Sequence, residues 1–441
     1  MVRFLYFIFF AFLLVNVNFS NAQETSKEFN SKPDSVFSFT PAPGSEAQKF
    51  LKSIGLKEGY NPPENNNGST IYVSIGEGSA TANNNSQAIH DARYNAYQRA
   101  LLNAKAKYVQ FLGSEIITSA ENIIKENTMP EPEQIVEKAV KKSAGDSSEF
   151  EKIKKLINLK LDQALKKEGY DKDSPKEKKQ EVIKKVLASN EFKSTTKIAS
   201  RAALAGFQTF TTFEQSKAGD KVSITVVGIW SDKLNQLANG IKEKNLANIP
   251  TGTPQKPIIE QIPNKPEVLI GTFGAKMYVN EKGDREVVAF GHASPLKENR
   301  QDLLNNACTQ AEIKAKQAIT FFVNENVYYQ SELSERDISQ DLKVNGQDQY
   351  TSFQGKNFEE TIKSIGQLSD VSFEVVDTKV IPSNPVFAAS DCIRIVKWSP
   401  SGEKARTAIK NQTGQDNTDK NFTGNSQEMK SRQGAAGSKD F

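Results

Sequence analysis

The chain has very few of the residues on which metal and thiol chemistry depend. Its 441 residues include only two cysteines and two histidines. Two cysteines cannot form a disulfide-dense scaffold, so the fold must rest on buried apolar area. His90 and His292 have no cysteine or histidine close by in the sequence, which excludes the ligand spacing of a zinc site. Either histidine can supply one catalytic base, but we expect both to be surface or turn residues, and we predict neither a metal nor a cofactor.

An excess of charge and the common catalytic motifs are also lacking. The 57 basic and 53 acidic residues give a formal net charge of only +4. Such a balance gives no sign of the clustered basic face that nucleic acid binding requires. No Gly-x-Ser-x-Gly motif is present, and a Ser-x-x-Lys match at Ser194 and Lys197 lacks its companion motifs. We therefore predict no nucleic acid partner, no catalytic residue and no enzymatic activity.

Long apolar runs are scarce as well, and the one that is present lies at the N-terminus. An apolar run from Phe4 to Val15 follows Arg3, and small residues precede a cleavage point after Ala22. The run is shorter than the roughly 20 residues that span a bilayer. We predict that residues 1–22 are a signal peptide and that the mature chain is exported to the periplasm or the extracellular space without an integral membrane span. The alternative is a retained N-terminal anchor.

Three segments are too polar to contribute to a core. Residues 23–66 and 401–441 contain few apolar residues, and such a chain cannot bury enough surface to offset its conformational entropy. We predict that both are disordered. Residues 241–266 are rich in proline, which favours an extended chain, and we predict that they link two domains.

Residues 67–240 and 267–400 are two copies of one pattern. In each copy a strand-like segment meets glycine, at Gly76 and Gly78 in the first copy and at Gly291 in the second. A helix-like segment with alanine at every fourth position follows, and strand-like segments then end at a tryptophan. The alanines are Ala88, Ala92, Ala96, Ala100 and Ala104 in the first copy and Ala307, Ala311 and Ala315 in the second. The repeat predicts a domain of the same fold on each side of the linker.

The alanine spacing predicts how each copy packs. Four residues of helix turn through about 400°, so the alanines form one nearly straight ridge. Small residues along a ridge let a helix lie close against a sheet. We therefore predict an α+β fold with two repeated units, each a long Ala-rich helix packed on a small antiparallel sheet.

The first copy is longer than the second, and the excess has a helical pattern. Residues 148–188 contain two segments rich in lysine and glutamate, with apolar residues at helical spacing. Each segment starts with a capping box, at Ser148 and Glu151 and at Ser174 and Glu177. We predict a helical hairpin inserted into the first copy. It either docks on a partner or covers a face of its own domain.

The glycines at the start of each copy raise the question of a phosphate-binding loop. A dinucleotide-binding turn needs three glycines at fixed spacing, and the third position here is Thr81. The second copy has Gly291 alone. Because the repeat keeps the strand and the helix but not the phosphate pattern, we interpret Gly76, Gly78 and Gly291 as tight turns between strand and helix.

The two cysteines belong to the same copy. Cys308 lies on the predicted alanine helix of the second copy, and Cys392 lies in its last strand. A helix packed on a sheet can bring such residues within the Cα–Cα distance of a disulfide, about 4.4 to 6.8 Å. They are therefore candidates for one structural disulfide, and the alternative is two unpaired thiols, one of them buried.

The repeated unit resembles a group of small exported bacterial domains. The likeness rests on GEGSA followed by AIHDARYNAYQRALLNA in the first copy, and on GHAS followed by ACTQAEIKAKQA in the second. These segments are similar to the lipoprotein-twenty family and to the N-terminal domain of flagellar assembly protein T. The resemblance implies an α+β domain of the Gram-negative cell envelope, in a group whose members mostly lack a recognised active site. Unlike the lipoprotein members, the chain has no lipid-acceptor cysteine at the predicted cleavage point.

These patterns together favour an exported, non-enzymatic interaction or structural protein of the bacterial cell envelope, with envelope proteins as its partners. Two alternatives stay open. One is an exported hydrolase that acts on envelope polymer through a carboxylate pair. The other is a small-ligand binding protein with its site between the two repeats. The sequence identifies neither the partner nor the oligomeric state.

Overall fold

The computed structural model describes residues 43–65, 68–81, 86–125, 131–144, 148–171, 173–200, 204–216, 221–295, 297, 300–323, 371–382 and 390–413. The predicted signal peptide, residues 1–22, lies outside the described residues, as do residues 23–42 and 414–441 of the predicted disordered segments. The described parts of those two segments contain regular elements, which corrects the prediction of disorder there. A helix and a strand form between residues 43 and 65, and another helix spans Pro400–Thr413.

The first repeat combines a small sheet with one long helix and a group of shorter helices. It begins with α1 (Pro43–Ser53), β1 (Gly59–Asn61), a 3₁₀ turn (Pro63–Asn65), β2 (Ile71–Thr81) and the long helix α2 (Ser86–Lys125). Four helices follow, namely α3 (Pro132–Ala144), α4 (Ser148–Lys167), α5 (Lys176–Ala188) and α6 (Asn190–Ser200). The repeat ends with β3 (Gln208–Ser216), β4 (Lys221–Ser231) and α7 (Asp232–Lys242).

The second repeat follows a connecting segment with short helices. These are a 3₁₀ turn (Leu246–Asn248), α8 (Ile258–Gln261) and α9 (Pro266–Ile270). The repeat itself contains β5 (Gly274–Val279), β6 (Arg285–Ala293), α10 (Gln301–Val323), β7 (Glu374–Ile381), β8 (Asp391–Trp398) and α11 (Pro400–Thr413).

The two sheets have the same strand order. The first is β1-β2-β4-β3 and the second is β5-β6-β8-β7, with every neighbouring pair antiparallel. A bulge interrupts equivalent pairs, between Thr209 and Thr211 in the first sheet and between Val375 and Asp377 in the second. The predicted α+β fold with two repeated units is therefore confirmed.

The glycines of the repeat lie within strands, so their interpretation as turns is wrong. Gly76 and Gly78 are inside β2, and Gly291 is inside β6. A Cβ atom on Gly76 would lie 2.0 Å from the carbonyl oxygen of Ala100, and one on Gly291 would lie 1.9 Å from that of Ala311. Glycine is needed at these positions because the alanine ridges of α2 and α10 bring helix backbone directly onto the strand.

The helical insertion extends beyond the predicted residues 148–188. All four helices from α3 to α6 lie between α2 and β3, and the predicted hairpin is present as α4 and α5. Gly169 follows α4 with a φ of 76°, the left-handed conformation in which glycine commonly ends a helix. Ser174 does not cap α5, because Pro175 holds that position and no side chain caps the helix.

The two repeats share an apolar core. One cluster of buried residues includes Val227 and Leu237 from the first repeat and Val287 from the second. The proline-rich segment also packs on the second repeat, where the amide of Gly252 donates to the carbonyl oxygen of Gly283 at 2.8 Å. This segment is therefore not a free hinge between independent domains.

A disulfide joins Cys308 of α10 to Cys392 of β8. Their Cα atoms are 5.2 Å apart, and both side chains lie in a small buried cluster with Ala293, Ala307 and Ala311. The bond connects the helix of the second repeat to the start of its last strand.

Candidate functional site

The two sheets meet at the junction between the repeats. β3 is the last strand of the first sheet and β5 is the first strand of the second, and side chains connect the two edges. The Lys276 amine donates to the carbonyl oxygens of Thr209 and Phe210, both at 2.8 Å. The amide of Met277 donates to Gln208 Oε1 at 2.7 Å. Burial lowers the pKa of Lys276 to about 7, and its hydrogen bonds to these two carbonyl oxygens supply no negative charge to offset that shift.

A buried arginine next to the junction forms an ion pair within the first repeat and a hydrogen bond beyond it. Arg93 of α2 is only 1% exposed, and its Nε and Nη2 donate to the two carboxylate oxygens of Glu214 in β3 at 2.6 and 2.7 Å. Nη2 also donates to the carbonyl oxygen of Ile270 at 2.9 Å. This two-pronged geometry is the strongest that an arginine makes with a carboxylate. Because Ile270 ends α9, Arg93 ties α2 to the segment that leads into the second repeat.

Both histidines of the chain meet one carboxylate at this junction. Asp391 Oδ2 lies 3.1 Å from His292 Nδ1 and 3.9 Å from His90 Nδ1. All three side chains are buried, with exposures of 2% for Asp391, 4% for His292 and 8% for His90. His90 belongs to α2 of the first repeat, whereas the other two belong to the second. The expectation of separate surface or turn histidines is therefore wrong.

Both ring nitrogens of His292 have a partner inside the protein. Its Nδ1 lies 3.1 Å from Asp391 Oδ2, and its Nε2 lies 2.7 Å from the carbonyl oxygen of Thr272. These two contacts fix the orientation of the ring between β8 and the segment before β5.

The pKa of His90 is lowered by its surroundings. Burial is the main reason that the pKa of His90 falls to about 4; Asp391 opposes the shift, and Arg93, His292 and Lys314 add to it. Burial alone would raise the pKa of Asp391, but His90, His292 and Arg93 together lower it below its usual value. His90 is therefore uncharged near pH 7.

Aromatic rings connect this charged group to a small cleft between the repeats. The Phe273 ring stacks on Tyr97 with 4.8 Å between centroids and lies 4.7 Å from the His292 ring. Lys314 Nζ lies 4.2 Å from the centroid of the Tyr94 ring. The cleft has a volume of about 500 Å³, which includes space open to solvent. Its other polar lining residues include Gln98, Lys105, Gln208 and Gln317.

A second feature lies on the helical insertion, where α4 exposes two leucines. Leu156 and Leu159 are 47% and 56% exposed, whereas Ile153 and Ile157 of the same helix are fully buried. At about 100° per residue, four exposed lysines lie on the outer side with the leucines. We define the α4 face as Leu156, Leu159, Lys155, Lys160, Lys166 and Lys167.

The part of the chain that the structure describes has neither a candidate metal site nor a candidate membrane-spanning helix. Those residues include no group of three or more His, Cys, Asp or Glu that could hold a metal ion. None of the described helices is both long and apolar enough to cross a membrane. Ser194 of the Ser-x-x-Lys match is exposed on α6.

The sequence contains a partial indication that His90, His292 and Asp391 meet. His90 lies near the start of the first alanine helix, and His292 directly follows Gly291, so both flank the repeated motif. Their meeting depends on how the two copies dock, which spacing within one copy does not reveal. Asp391 had no distinguishing pattern beyond its position next to Cys392.

Comparison with known proteins gives two similarities. Residues 147–243, from the start of α4 to the end of α7, match a family described as a domain of unknown function, DUF6844. No curated protein matches the chain. The chain is also similar to the hypothetical protein FTT1539c from Francisella tularensis, whose crystal structure was determined at 2.3 Å. The identity is 16% and the TM-score 0.43, with 81% of this chain and 90% of that chain covered. Neither similarity names an activity or a partner.

Proposed function

We propose that the protein is an exported, non-enzymatic interaction protein of the bacterial cell envelope and that the α4 face is its contact surface. The observation that carries the proposal is the exposure of Leu156 and Leu159 on the side of α4 away from the core. Covering two half-exposed leucines is favourable by about 2 kcal/mol in total. That amount favours a weak, reversible contact over a permanent interface.

The lysines of the α4 face indicate the chemistry of the partner. Lys155 and Lys160 flank the two leucines along the helix. Residues 148–188 contain twelve lysines against eight acidic residues, so this segment alone has the net charge of the whole chain, +4. Charge complementarity steers association and selects partners. We therefore infer an acidic protein surface with an apolar recess as the partner.

The junction between the repeats supports a non-enzymatic role. Both ring nitrogens of His292 already contact protein groups, Asp391 and the carbonyl oxygen of Thr272, so the ring is not placed to act as a base toward a substrate. A carboxyl that acts as a general acid needs a raised pKa, whereas the pKa of Asp391 is lowered. The hydrolase alternative therefore gains no support from these residues.

Export and envelope location rest on the sequence. The signal peptide and the resemblance to the lipoprotein-twenty family and to flagellar assembly protein T stay predictions. The disulfide between Cys308 and Cys392 supports export, because such bonds persist mainly in oxidising compartments.

Crosslinking in the source bacterium tests the proposal with three tagged full-length chains. The first is the wild type, the second combines Leu156→Gln with Leu159→Gln, and the third combines Val375→Thr with Val380→Thr. The third is a matched control, because these valines are 40% and 47% exposed on β7, far in sequence from α4. We expect the wild type and the control to capture the same envelope proteins, and the α4 variant to lose them. Equal capture by all three chains, or capture of no envelope protein, contradicts the proposal.

The cleft between the repeats favours one second candidate, a small-ligand binding protein. Lys105 and Lys314 line it together with the Tyr94 and Phe273 rings. Amines beside aromatic faces suit a small anion with a planar part. A panel of aromatic carboxylates tested by thermal shift on the wild type decides this candidate. If no member of the panel raises the melting temperature, the small-ligand candidate is ruled out.

A further inference from the structure

We propose that the junction between the repeats is an acid-sensitive latch, which is closed while His90 is uncharged and is released when His90 gains a proton. The inference concerns the contact between the two repeats and goes beyond the proposed function, because it does not depend on the α4 face.

The geometry of the latch places two imidazoles on one carboxylate. Asp391 Oδ2 is already bonded to His292 Nδ1 at 3.1 Å, and His90 Nδ1 approaches the same oxygen to 3.9 Å. His90 comes from the first repeat and the other two residues come from the second. These are the only histidines in the chain, so both imidazoles of the protein are at this contact.

The charges around His90 disfavour a second proton in the closed latch. Arg93 faces it from the same helix, His292 from β6, Lys314 from α10 and Asp391 from β8. The Glu214 carboxylate of β3 is bound to Arg93 at 2.6 and 2.7 Å. Arg93, His292 and Lys314 therefore oppose a proton on His90, and Asp391, which favours it, is already bonded to His292. Protonated His90 would be a further cation at a site with 8% exposure.

The sign of the pH dependence follows from linkage. In the closed latch the pKa of His90 is about 4, whereas an imidazole in water has a pKa of about 6.5. The proton therefore binds the open form more tightly, and opening is favoured as the pH falls from about 6.5 to about 4. Between pH 7 and pH 5 the opening constant rises roughly 20-fold.

A direct titration tests the state of His90 without any variant. The full chain, labelled in its histidines, gives two imidazole Cε1–H resonances because it has two histidines. We expect the His90 resonance to shift only as the pH approaches about 4. His292→Gln assigns the two resonances. A His90 resonance that titrates near the ordinary value of about 6.5 overturns the proposal.

Amide hydrogen exchange tests whether the proton opens the junction. The amides of Gly206, bonded to the carbonyl oxygen of Phe322, and of Met277, bonded to Gln208 Oε1, report on contacts between the repeats. After division by the intrinsic rate, we expect their exchange to increase roughly 20-fold from pH 7 to pH 5. The amide of Tyr170, bonded to the carbonyl oxygen of Leu165 in the insertion, is the internal control and should not change.

The variant His90→Leu separates the latch from general acid destabilisation. Leucine fills a similar space but does not titrate, so the increase at the junction should fall below about twofold. An equal increase in wild type and variant overturns the proposal, and so does a wild type without any increase. If the variant does not fold, the titration and the wild-type exchange still decide the matter.

Discussion

The first and second repeats have the same strand order but are stabilised by different additional elements. The first has a helix of 40 residues, α2, and four additional helices that share its apolar core. The second has a helix of 23 residues, α10, and a disulfide that binds this helix to β8. Both keep glycine in the strand under the alanine ridge. The close approach of helix and strand is therefore the shared requirement of the unit, and the remaining support differs between the copies.

The tryptophan at the end of each last strand shows the same difference. Trp230 stacks on Tyr108 with 5.6 Å between centroids, and its Nε1 donates to the carbonyl oxygen of Ala205 at 3.1 Å. Trp398 is equally buried, but its Nε1 has no hydrogen-bond partner among the described residues. Trp230 belongs to the core of the first repeat, whereas Trp398 lies in the core that both repeats share. The first copy is therefore the more self-contained of the two.

The largest expected effect breaks the feature that both repeats share. Gly76→Ala and Gly291→Ala each place a Cβ atom within 2.0 Å of a helix carbonyl oxygen, so the helix must move off its strand. We expect each change to cost about 5 kcal/mol of unfolding free energy. Ser79→Ala, on the same strand as Gly76, is the control and should cost little. Denaturant unfolding measures all three, and a stable Gly76→Ala chain contradicts the packing argument.

The next effect comes from the disulfide that only the second repeat has. Replacing both cysteines, with Cys308→Ser and Cys392→Ser, opens a covalent loop with a sequence separation of 84. The lost constraint on the unfolded chain corresponds to about 4.5 kcal/mol. Denaturant unfolding followed by tryptophan fluorescence measures the loss, and an unchanged unfolding free energy contradicts a structural role for the bond.

A smaller effect concerns the ion pair of the first repeat that borders the junction. Arg93→Met leaves the Glu214 carboxylate, which is 13% exposed, without its bidentate partner. We expect a loss of about 3 kcal/mol, much of which Glu214→Met in the same chain should restore, because the buried charge is then removed. A double-mutant cycle measures the coupling. If the two losses simply add, the two side chains do not stabilise each other.

The smallest effect concerns the surface that only the first repeat has. Leu156→Gln with Leu159→Gln should change the unfolding free energy by less than about 0.5 kcal/mol, because both side chains are largely in solvent. The same substitution by glutamine at two buried positions, Ile153→Gln with Ile157→Gln, should prevent folding of the insertion, because those side chains are fully buried. Circular dichroism during thermal unfolding compares them. Similar melting of the two variants contradicts the assignment of inner and outer sides of α4.

The repeat and its fold class could be predicted because their signals are local. Alanine at every fourth position and alternating strand residues recur in both copies, and the structure confirms them. The glycines were misinterpreted because glycine is equally suited to a turn and to a strand that touches a helix backbone. Helix α1 was missed because its prolines and polar neighbours outweighed Ala47, Phe50 and Leu51, which are buried at helical spacing.

The site at the junction could not be predicted because it depends on docking. His90 and Arg93 lie close together on α2, but Asp391 is far from them in the sequence and meets them only when the two sheets adjoin. Each residue on its own has the ordinary surroundings of a helix or strand. Their burial is set by the shared core, whose members come from both copies. Composition and spacing within one copy contain no information on that contact.

The disulfide also has a consequence for proteolysis. Cys308 and Cys392 close a ring of polypeptide that includes residues 324–370, which lie outside the described part of the chain. One cut anywhere in this ring leaves two polypeptides that stay covalently joined, with β8 still attached to α10. The nicked protein would migrate as one species on a non-reducing gel and as two on a reducing gel. The second repeat can therefore lose the continuity of its chain without losing any of its parts.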